Sequence, residues 1–251
     1  MSQQIIQPCE DLKDYISHFW AATWEEPMPL TNTTYYATAN SLTELVFGFV
    51  GSAKLFSSVR GHTTNHIQFP AGDLQELFGV SLYSHAVPFL FHLPASELSN
   101  YSVSPETLLG DDGKFLTEKI ALTSTAEERV RILTQYFRSQ LKKQRWGDPF
   151  ISKAVRQIRH HSGNLNITDL SNDFCLSQKQ FERRFKACAG FNPKLYARIV
   201  RFETILSNRT RFVNLTEAAH ANGYYDQAHF IHDFKTFTGY SPNTFLALSG
   251  Y

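Results

Sequence analysis

Ser177-x-x-x-Phe181-x-x-x-Phe185-Lys186-x-x-x-Gly190-Phe191-Asn192-Pro193 and Asp226-x-x-x-Phe230-x-x-x-Phe234-Lys235-x-x-x-Gly239-Tyr240-Ser241-Pro242 are one text written twice, 49 residues apart. Each copy begins with a side chain able to cap a helix and then sets two Phe four apart, on one helical face. A glycine closes that helix, and a proline behind an Asn or Ser opens the next at its first turn. Upstream the likeness continues at an offset of 48: Asn166-Ile-Thr-Asp-Leu-Ser resembles Asn214-Leu-Thr-Glu-Ala-Ala, and Cys175 falls opposite Gly223. Each copy is therefore a short capped helix, a turn, and a longer helix bearing the Phe pair: a helix-turn-helix.

Two units are fewer than a stacked helical solenoid needs, whereas two helix-turn-helix modules present two recognition helices to DNA. With these residues the chain resembles the AraC/XylS family of bacterial transcription regulators. The C-terminal domain of that family carries two such modules joined by a long helix, and Gly223-Tyr-Tyr-Asp226-Gln-Ala-His-Phe230 through Gly239-Tyr-Ser-Pro242 is similar to its signature. The resemblance spans residues 150 to 250 or so. It implies a sequence-specific DNA-binding regulator, with a β-rich N-terminal domain that senses a ligand or dimerises. The family's first turn has Ala and Gly where this chain has Ser171 and Cys175. Because Cys is strained in a left-handed conformation, this turn is expected to differ in detail.

The 251 residues leave room for two domains, and 42% hydrophobic with 14% aromatic content is that of a globular chain with sizeable cores. No stretch has the apolar length of a membrane span, and the start lacks the blocks of a signal peptide, so the expected location is the cytoplasm. Cys9, Cys175 and Cys188 have neither CxxC spacing nor an even count, which argues against a zinc site or a disulfide framework. The net charge of +1 hides a split. Residues 1–146 hold 11 Lys+Arg against 15 Asp+Glu (−4), and residues 147–251 hold 13 against 8 (+5). The basic excess coincides with the repeat, as phosphate binding requires.

Before the repeat, Leu12, Tyr15, Ile16 and Phe19 at helical spacing predict a short amphipathic helix packed on the following sheet. Leu42–Val50, Ala53–Val59, Ile67–Phe69, Leu77–Tyr83 and Phe89–Leu93 read as strands between turn residues, which suggests an antiparallel barrel or sandwich. Such an interior can hold a small ligand that the sequence does not name. His62, His66, His85 and His92 invite a cupin-like metal reading. Their spacing lacks the His-x-His pair with a following carboxylate, so packed or exposed histidines without metal are preferred and no cofactor is expected.

Residues 94–124 read as connecting structure, with a short helix from Ser104-Pro105-Glu106 to Gly110. Thr125 and Glu128 form a capping box for a helix over about 126–144. Its stripe of Val130, Leu133, Phe137 and Leu141 packs on the β-rich domain or forms a homodimer seam. The charged, Gly- and Pro-bearing run from Lys142 to Pro149 marks the domain boundary. The expected fold is thus α+β in two domains, a β-rich barrel or sandwich over 1–146 and an all-α DNA-binding domain over 150–251. In the second, a helix over about 150–162 turns Ile151, Ala154, Val155 and Ile158 inward and ends at Gly163. The first module covers about 166–188. A connecting helix from Pro193 to about Asn208 follows, with Leu195, Ile199, Phe202 and Leu206 inward and Arg198 and Arg201 outward. The second module (about 214–238) and a closing helix from Pro242 to Leu248 make seven helices.

A recognition helix buries its Phe pair and turns the opposite face to base edges. In the first module Gln180 is spent on a capping box with Ser177, leaving Lys179, Glu182, Arg183 and Lys186 exposed. Lys179, Glu182 and Arg183 are the base-reading candidates, and they match positions at which the family contacts bases. The second module offers Gln227, Ala228, Ile231 and His232, a less polar face on which His232 stands where many relatives have Arg. Arg184, Lys186 and Lys235 are phosphate candidates. Double-stranded DNA is the expected partner; a small effector, RNA polymerase and a second copy of the chain are open, and no membrane is involved. Two rivals remain: a barrel enzyme or metal-binding domain over residues 1–124 fused to a DNA-binding module, and a nonspecific architectural protein. The chain has no nucleophile elbow, phosphate loop or metal constellation to support the first.

Overall fold

The computed structural model describes residues 2–24, 34–70, 74–143, 147–208 and 215–248. Its N-terminal region contains strands β1 (Ser2–Ile6), β2 (Ile16–Thr23), β3 (Thr34–Ala37), β4 (Leu42–Val50), β5 (Ala53–Arg60), β6 (Ile67–Pro70), β7 (Glu76–Tyr83) and β8 (Ser102–Val103). Helices α1 (Val87–Phe91), α2 (Pro105–Leu109), α3 (Asp111–Ala121) and α4 (Ala126–Lys143) complete it. The C-terminal region is helical: α5 (Pro149–His160), α6 (Ile167–Asp173), α7 (Gln178–Ala189), α8 (Pro193–Asn208), α9 (Leu215–Ala221), α10 (Gln227–Thr238) and α11 (Pro242–Leu248). Among the described residues these are the seven helices expected. Asn214, the expected cap of α9, and residues 144–146 of the expected break lie outside the described residues. Among the described residues no helix is long and apolar enough to cross a membrane.

The strands pair antiparallel in the order β1-β2-β7-β4-β5-β8, and β3 pairs with β6 in a second sheet. Alternation along each strand gives the large sheet two unlike faces. Phe19, Leu45, Phe47, Phe78, Val80 and Leu82 pack on α1, α3 and α4 through Leu90, Ile120, Leu133 and Phe137, forming the N-terminal core. The other face carries a smaller cluster of Trp20, Ala22, Val46 and Leu77 together with the polar side chains Glu44 and Ser81.

Three expectations are corrected. The helix expected over Leu12–Phe19 is instead a short turn followed by β2. The pairing of β2 with β7 slips between Ile16 and His18. That bulge puts Ile16 and Phe19 on the same face although they are three apart, so a strand carries a helical spacing. Phe89–Leu93, expected as a strand, belongs in part to α1. Pro88 sits in its first turn, and Val87, Pro88, Leu90 and Phe91 are all buried, so the run has no period to read. Asp111–Ala121, expected as connecting structure, is helical, although Ser104 and Gly110 bound α2 as read.

Half of the capping box expected for α4 is seen, Glu128 N donating to Thr125 Oγ1 at 3.3 Å. Leu133 and Phe137 are fully buried and Val130 and Leu141 half-buried on the same core, so intrachain packing occupies the stripe. Arg129 reinforces it: its guanidinium pairs with Glu76, donates to Thr123 O at 3.0 Å and lies 3.9 Å over the Phe49 ring. Such a buried charge is tolerable only because it is paired and hydrogen-bonded.

The C-terminal core is continuous across both modules, and α8 supplies its middle. Near its start, Tyr196 packs on Phe185 and Phe191 of the first module, each at 5.5 Å between ring centroids. Further along, Phe202 packs on Phe234 at 5.4 Å and Phe237 at 5.3 Å in the second. Tyr196 and Ile205 are fully buried where Leu195 and Leu206 are only partly so, which turns the expected stripe slightly. Arg198 and Arg201, expected to point outward, are half-buried instead. Arg198 donates to Asp233 Oδ1 at 2.6 Å and Arg201 to Gly163 O at 3.0 Å, so each fastens α8 to a neighbouring element. Because Phe202 is fully buried at the joint, Phe202→Ala is expected to cost about 3–5 kcal/mol. Urea unfolding of the whole chain checks this; a loss below about 1 kcal/mol would show that the site collapses around the missing ring.

Candidate nucleic-acid interface

The first recognition helix, α7, is fixed at both ends by local chemistry. Ser177 Oγ accepts from Gln180 N at 3.3 Å while Gln180 Oε1 accepts from Ser177 N at 3.2 Å, so Gln180 is spent as expected. Phe181 and Phe185 are fully buried, and Phe174 stacks on Phe181 at 6.3 Å. Cys175 adopts φ 54°, so the turn keeps its left-handed residue despite the strain on a side chain there. Ser171 is buried and donates to Thr168 O at 2.8 Å, which satisfies the hydroxyl where an Ala was anticipated.

On the other side of α7, Lys179, Arg183 and Lys186 are exposed. Glu182 is half-buried and accepts from Gln178 Nε2 at 3.0 Å. Arg184 has a different setting. Its Nε donates to Asp148 Oδ2 at 2.6 Å and its guanidinium lies 5.4 Å over Phe150. Asp148 also caps α5, accepting from Phe150 N at 3.1 Å, so Arg184 joins α7 to α5 and would have to leave that pair to meet a phosphate.

The second recognition helix, α10, begins at Asp226, whose carboxylate accepts from His229 N at 2.7 Å. Gln227, Ala228, His232 and Lys235 are exposed, while Ile231 is half-buried against the helical core. Through the offset of 49, Lys179, Glu182, Arg183 and Lys186 correspond to Ala228, Ile231, His232 and Lys235, so the two modules present equivalent faces of unequal polarity. Asp233 is the residue that sequence reasoning missed. It is fully buried on the core side of α10, held by Arg198 and 3.9 Å from His229 Nε2. Its place three residues after Phe230 and four before Phe237, on the apolar face, was the available signal.

Behind the exposed faces of α7 and α10 the helical region rests on the N-terminal one. Ser41 N and Oγ donate to Glu203 at 2.6 and 2.8 Å, and Arg159 donates to Ser41 Oγ at 2.9 Å and lies 5.0 Å over Tyr83. Arg156 pairs with Asp14 at 3.4 Å. Of the four histidines, His62 is fully buried beside Ser99, His85 is fully buried with Nε2 2.9 Å from Asp14 O, and His92 faces Gln140 at 3.4 Å. His66 lies against Gly239. Among the described residues no group of three or more His, Cys, Asp or Glu is arranged to hold a metal.

A cavity of about 160 Å³ opens between the polar face of the large sheet and the β3–β6 pair, lined by Leu42, Glu44, Arg60, Thr63, Asn100 and others. Burial raises the pKa of Glu44, while the Arg60 guanidinium and the Ser81 hydroxyl, 3.2 Å from its carboxylate, pull it back down. The arrangement places a guanidinium and a buried carboxyl group beside one small cavity.

Residues 170–247 match a family model described as a helix-turn-helix domain, and residues 4–104 match a domain of unknown function (DUF6597). No curated protein matches the chain. Among solved structures, ToxT from Vibrio cholerae O395 is similar at 10% identity, covering 91% of this chain and 96% of that one with a TM-score of 0.48. The P21 form of ToxT from Vibrio cholerae gives 12%, 91%, 97% and 0.47. Unsaturated fatty acid bound wild-type ToxT from Vibrio cholerae strain SCE256 gives 9%, 97%, 93% and 0.43. Likeness of this size says nothing about a ligand or partner.

Burial drives the pKa of His62 down to about 4, with a hydrogen bond to the Gly190 backbone opposing it. In the unfolded chain a histidine titrates near 6.5, so the unfolded state takes up the proton first. Stability is therefore expected to fall as pH drops from about 6.5 towards 4, by on the order of 2 kcal/mol from this residue. Melting His62→Gln beside the wild type at pH 7 and 4.5 tests it; equal losses in both would exclude His62 as a source.

Proposed function

We propose that this chain, a DNA-binding transcription regulator carrying the helix-turn-helix domain of the AraC/XylS family, recognises a specific operator with both of its modules. The observation that carries this reading is the pair of equivalent helices α7 and α10. Each has a sealed aromatic face and an opposite face largely exposed, at matching positions of a duplicated segment. In this proposal Lys179, Glu182 and Arg183 read bases strictly, and Gln227, Ala228, Ile231 and His232 read them less so. Lys186 and Lys235 contact phosphates. Residues 150–251 form the reader and residues 1–146 a sensor domain.

Arg183 offers a guanine two directional hydrogen bonds and a charge, so Arg183→Ala is expected to cost about 1–3 kcal/mol and relax preference at one base position. His232→Ala should weaken binding less, because an imidazole makes fewer directional bonds. Lys186→Ala should lower affinity for all sequences alike and reduce the salt slope by about one unit. Titration against a library of single-base operator variants at two salt concentrations checks all three. Wild-type affinity that hardly varies across the library would leave only a nonspecific DNA binder.

The cavity bearing Glu44 and Arg60 supports a small polar effector as the signal sensed by the N-terminal region. A thermal-shift screen of small polar and anionic metabolites is expected to yield compounds that stabilise the wild type and not Arg60→Ala. Hits that stabilise both proteins equally would place the effector elsewhere.

A further inference from the structure

Gly190 and Gly239, which end the two recognition helices, are the same position of the duplicated segment. Both are left-handed, with φ 81° and 78°, a conformation that strains any other residue. The N-terminal region fills the space beside them. The imidazole of His62 lies against Gly190 and that of His66 against Gly239, so that a Cβ on either glycine would overlap a ring. Two residues four apart on one side of the interface thus seat on two residues 49 apart on the other.

The segment that carries these rings is held on several sides. His62 is fully buried, its ring centroid is 3.9 Å from that of Phe191, and its Nε2 is 2.6 Å from Ser99 Oγ, which in turn reaches Gly190 O at 3.4 Å. Thr63 and Asn40 exchange two backbone hydrogen bonds of 3.0 Å. The adjoining Ala39 is buried in the helix-turn-helix core, and its N–H donates to Phe237 O at 2.9 Å, next to the end of α10. Between the modules themselves, α8 forms the main connection, with Asn164 touching Gly223 beside it.

We propose that residues 61–66 are a strap that sets the separation of the two reading helices, and that His62 and His66 are positioning residues for DNA recognition. The strap gives the pair of modules a second rigid connection, independent of α8. Its function is geometric. Adding or removing one base pair between two half-sites shifts them by about 3.4 Å and rotates them by about 35°. A joint that drifted by a fraction of this would accept both spacings, whereas a joint fastened at α8 and again at both helix ends accepts one. Operator spacing is then read through the N-terminal region, which touches neither base nor phosphate through these residues.

The inference rests on the proposed operator recognition, so two measurements on the full-length chain separate them. In the first, spin labels at Ala187→Cys and Thr236→Cys, equivalent exposed sites of α7 and α10, report the separation of the helices without DNA; Cys9→Ser, Cys175→Ser and Cys188→Ala remove other thiols. A narrow distance distribution is expected in this background, broadening in His66→Ala and in the His62→Ala/His66→Ala pair, with His62→Gln close to the parent. In the second, the unlabelled wild type should prefer one operator spacing over spacings one base pair longer or shorter by about tenfold, and His66→Ala by about twofold. His66 is only half-buried, so its variant carries the test if His62→Ala fails to fold. Distance distributions and spacing preference both unchanged in folded variants would overturn the strap. Loss of all sequence preference in the wild type would instead remove the operator reading, and the distance distributions would still decide the strap.

Discussion

Paired aromatic side chains four residues apart are the constraint from which the C-terminal half follows. Each Phe pair must leave water, and on a helix the two rings can do so only by facing one common neighbour. Both pairs find it in α8, one through Tyr196 and the other through Phe202. Once those faces are sealed, most of the opposite faces of α7 and α10, including Lys179, Arg183, Lys186, Ala228, His232 and Lys235, remains exposed to solvent. Polarity then distributes the roles: Arg183 and Lys179 stand on one helix where His232 and Ala228 stand on the other.

Charge is treated differently inside and outside this frame. Arg198 with Asp233, Arg159 with Glu203, and Arg129 with Glu76 are each withdrawn at least partly from water, and each joins elements distant in sequence. Partial burial makes such pairs costly to break from one side, because the surviving charge would be left without a partner. They contribute registration more than net stability. Arg156 with Asp14, Arg138 with Asp11 and Lys143 with Asp112 pair at the surface, where solvent screens them, while half-buried Arg184 is tied to Asp148.

The helical half was legible because its signals are local. Caps, the i, i+4 Phe pairs, closing glycines and opening prolines all act within one turn of where they are written, and the duplication repeats them. The N-terminal strands were read where apolar runs lie between turn residues, as in Leu42–Val50 and Leu77–Tyr83, and lost where geometry hides the period. A bulge at Ser17 gave β2 the spacing of a helix, and the apolar run of α1 carries no period because four of its five residues are buried. The exposed faces of α7 and α10 could be named since they are what remains after the buried face is assigned. The buried acid Asp233 and the packing of His62 and His66 on the helix ends depend on residues far away in the chain, and no local pattern announces them.

The cavity and the strap share a wall. Thr38, Asn40, Gly61 and Thr63 line the space beside Glu44 and Arg60, and the residues interleaved with them, Ala39 and His62, press on the helical region. Alternate residues of an extended segment face opposite ways, so what displaces one set displaces the other. If the proposed DNA recognition depends on the placement of that wall, a molecule that fits the cavity better in one placement alters DNA affinity, and thermodynamic reciprocity requires DNA to alter the molecule's affinity by the same factor. On the proposed reading, DNA would then itself act as an effector of the cavity.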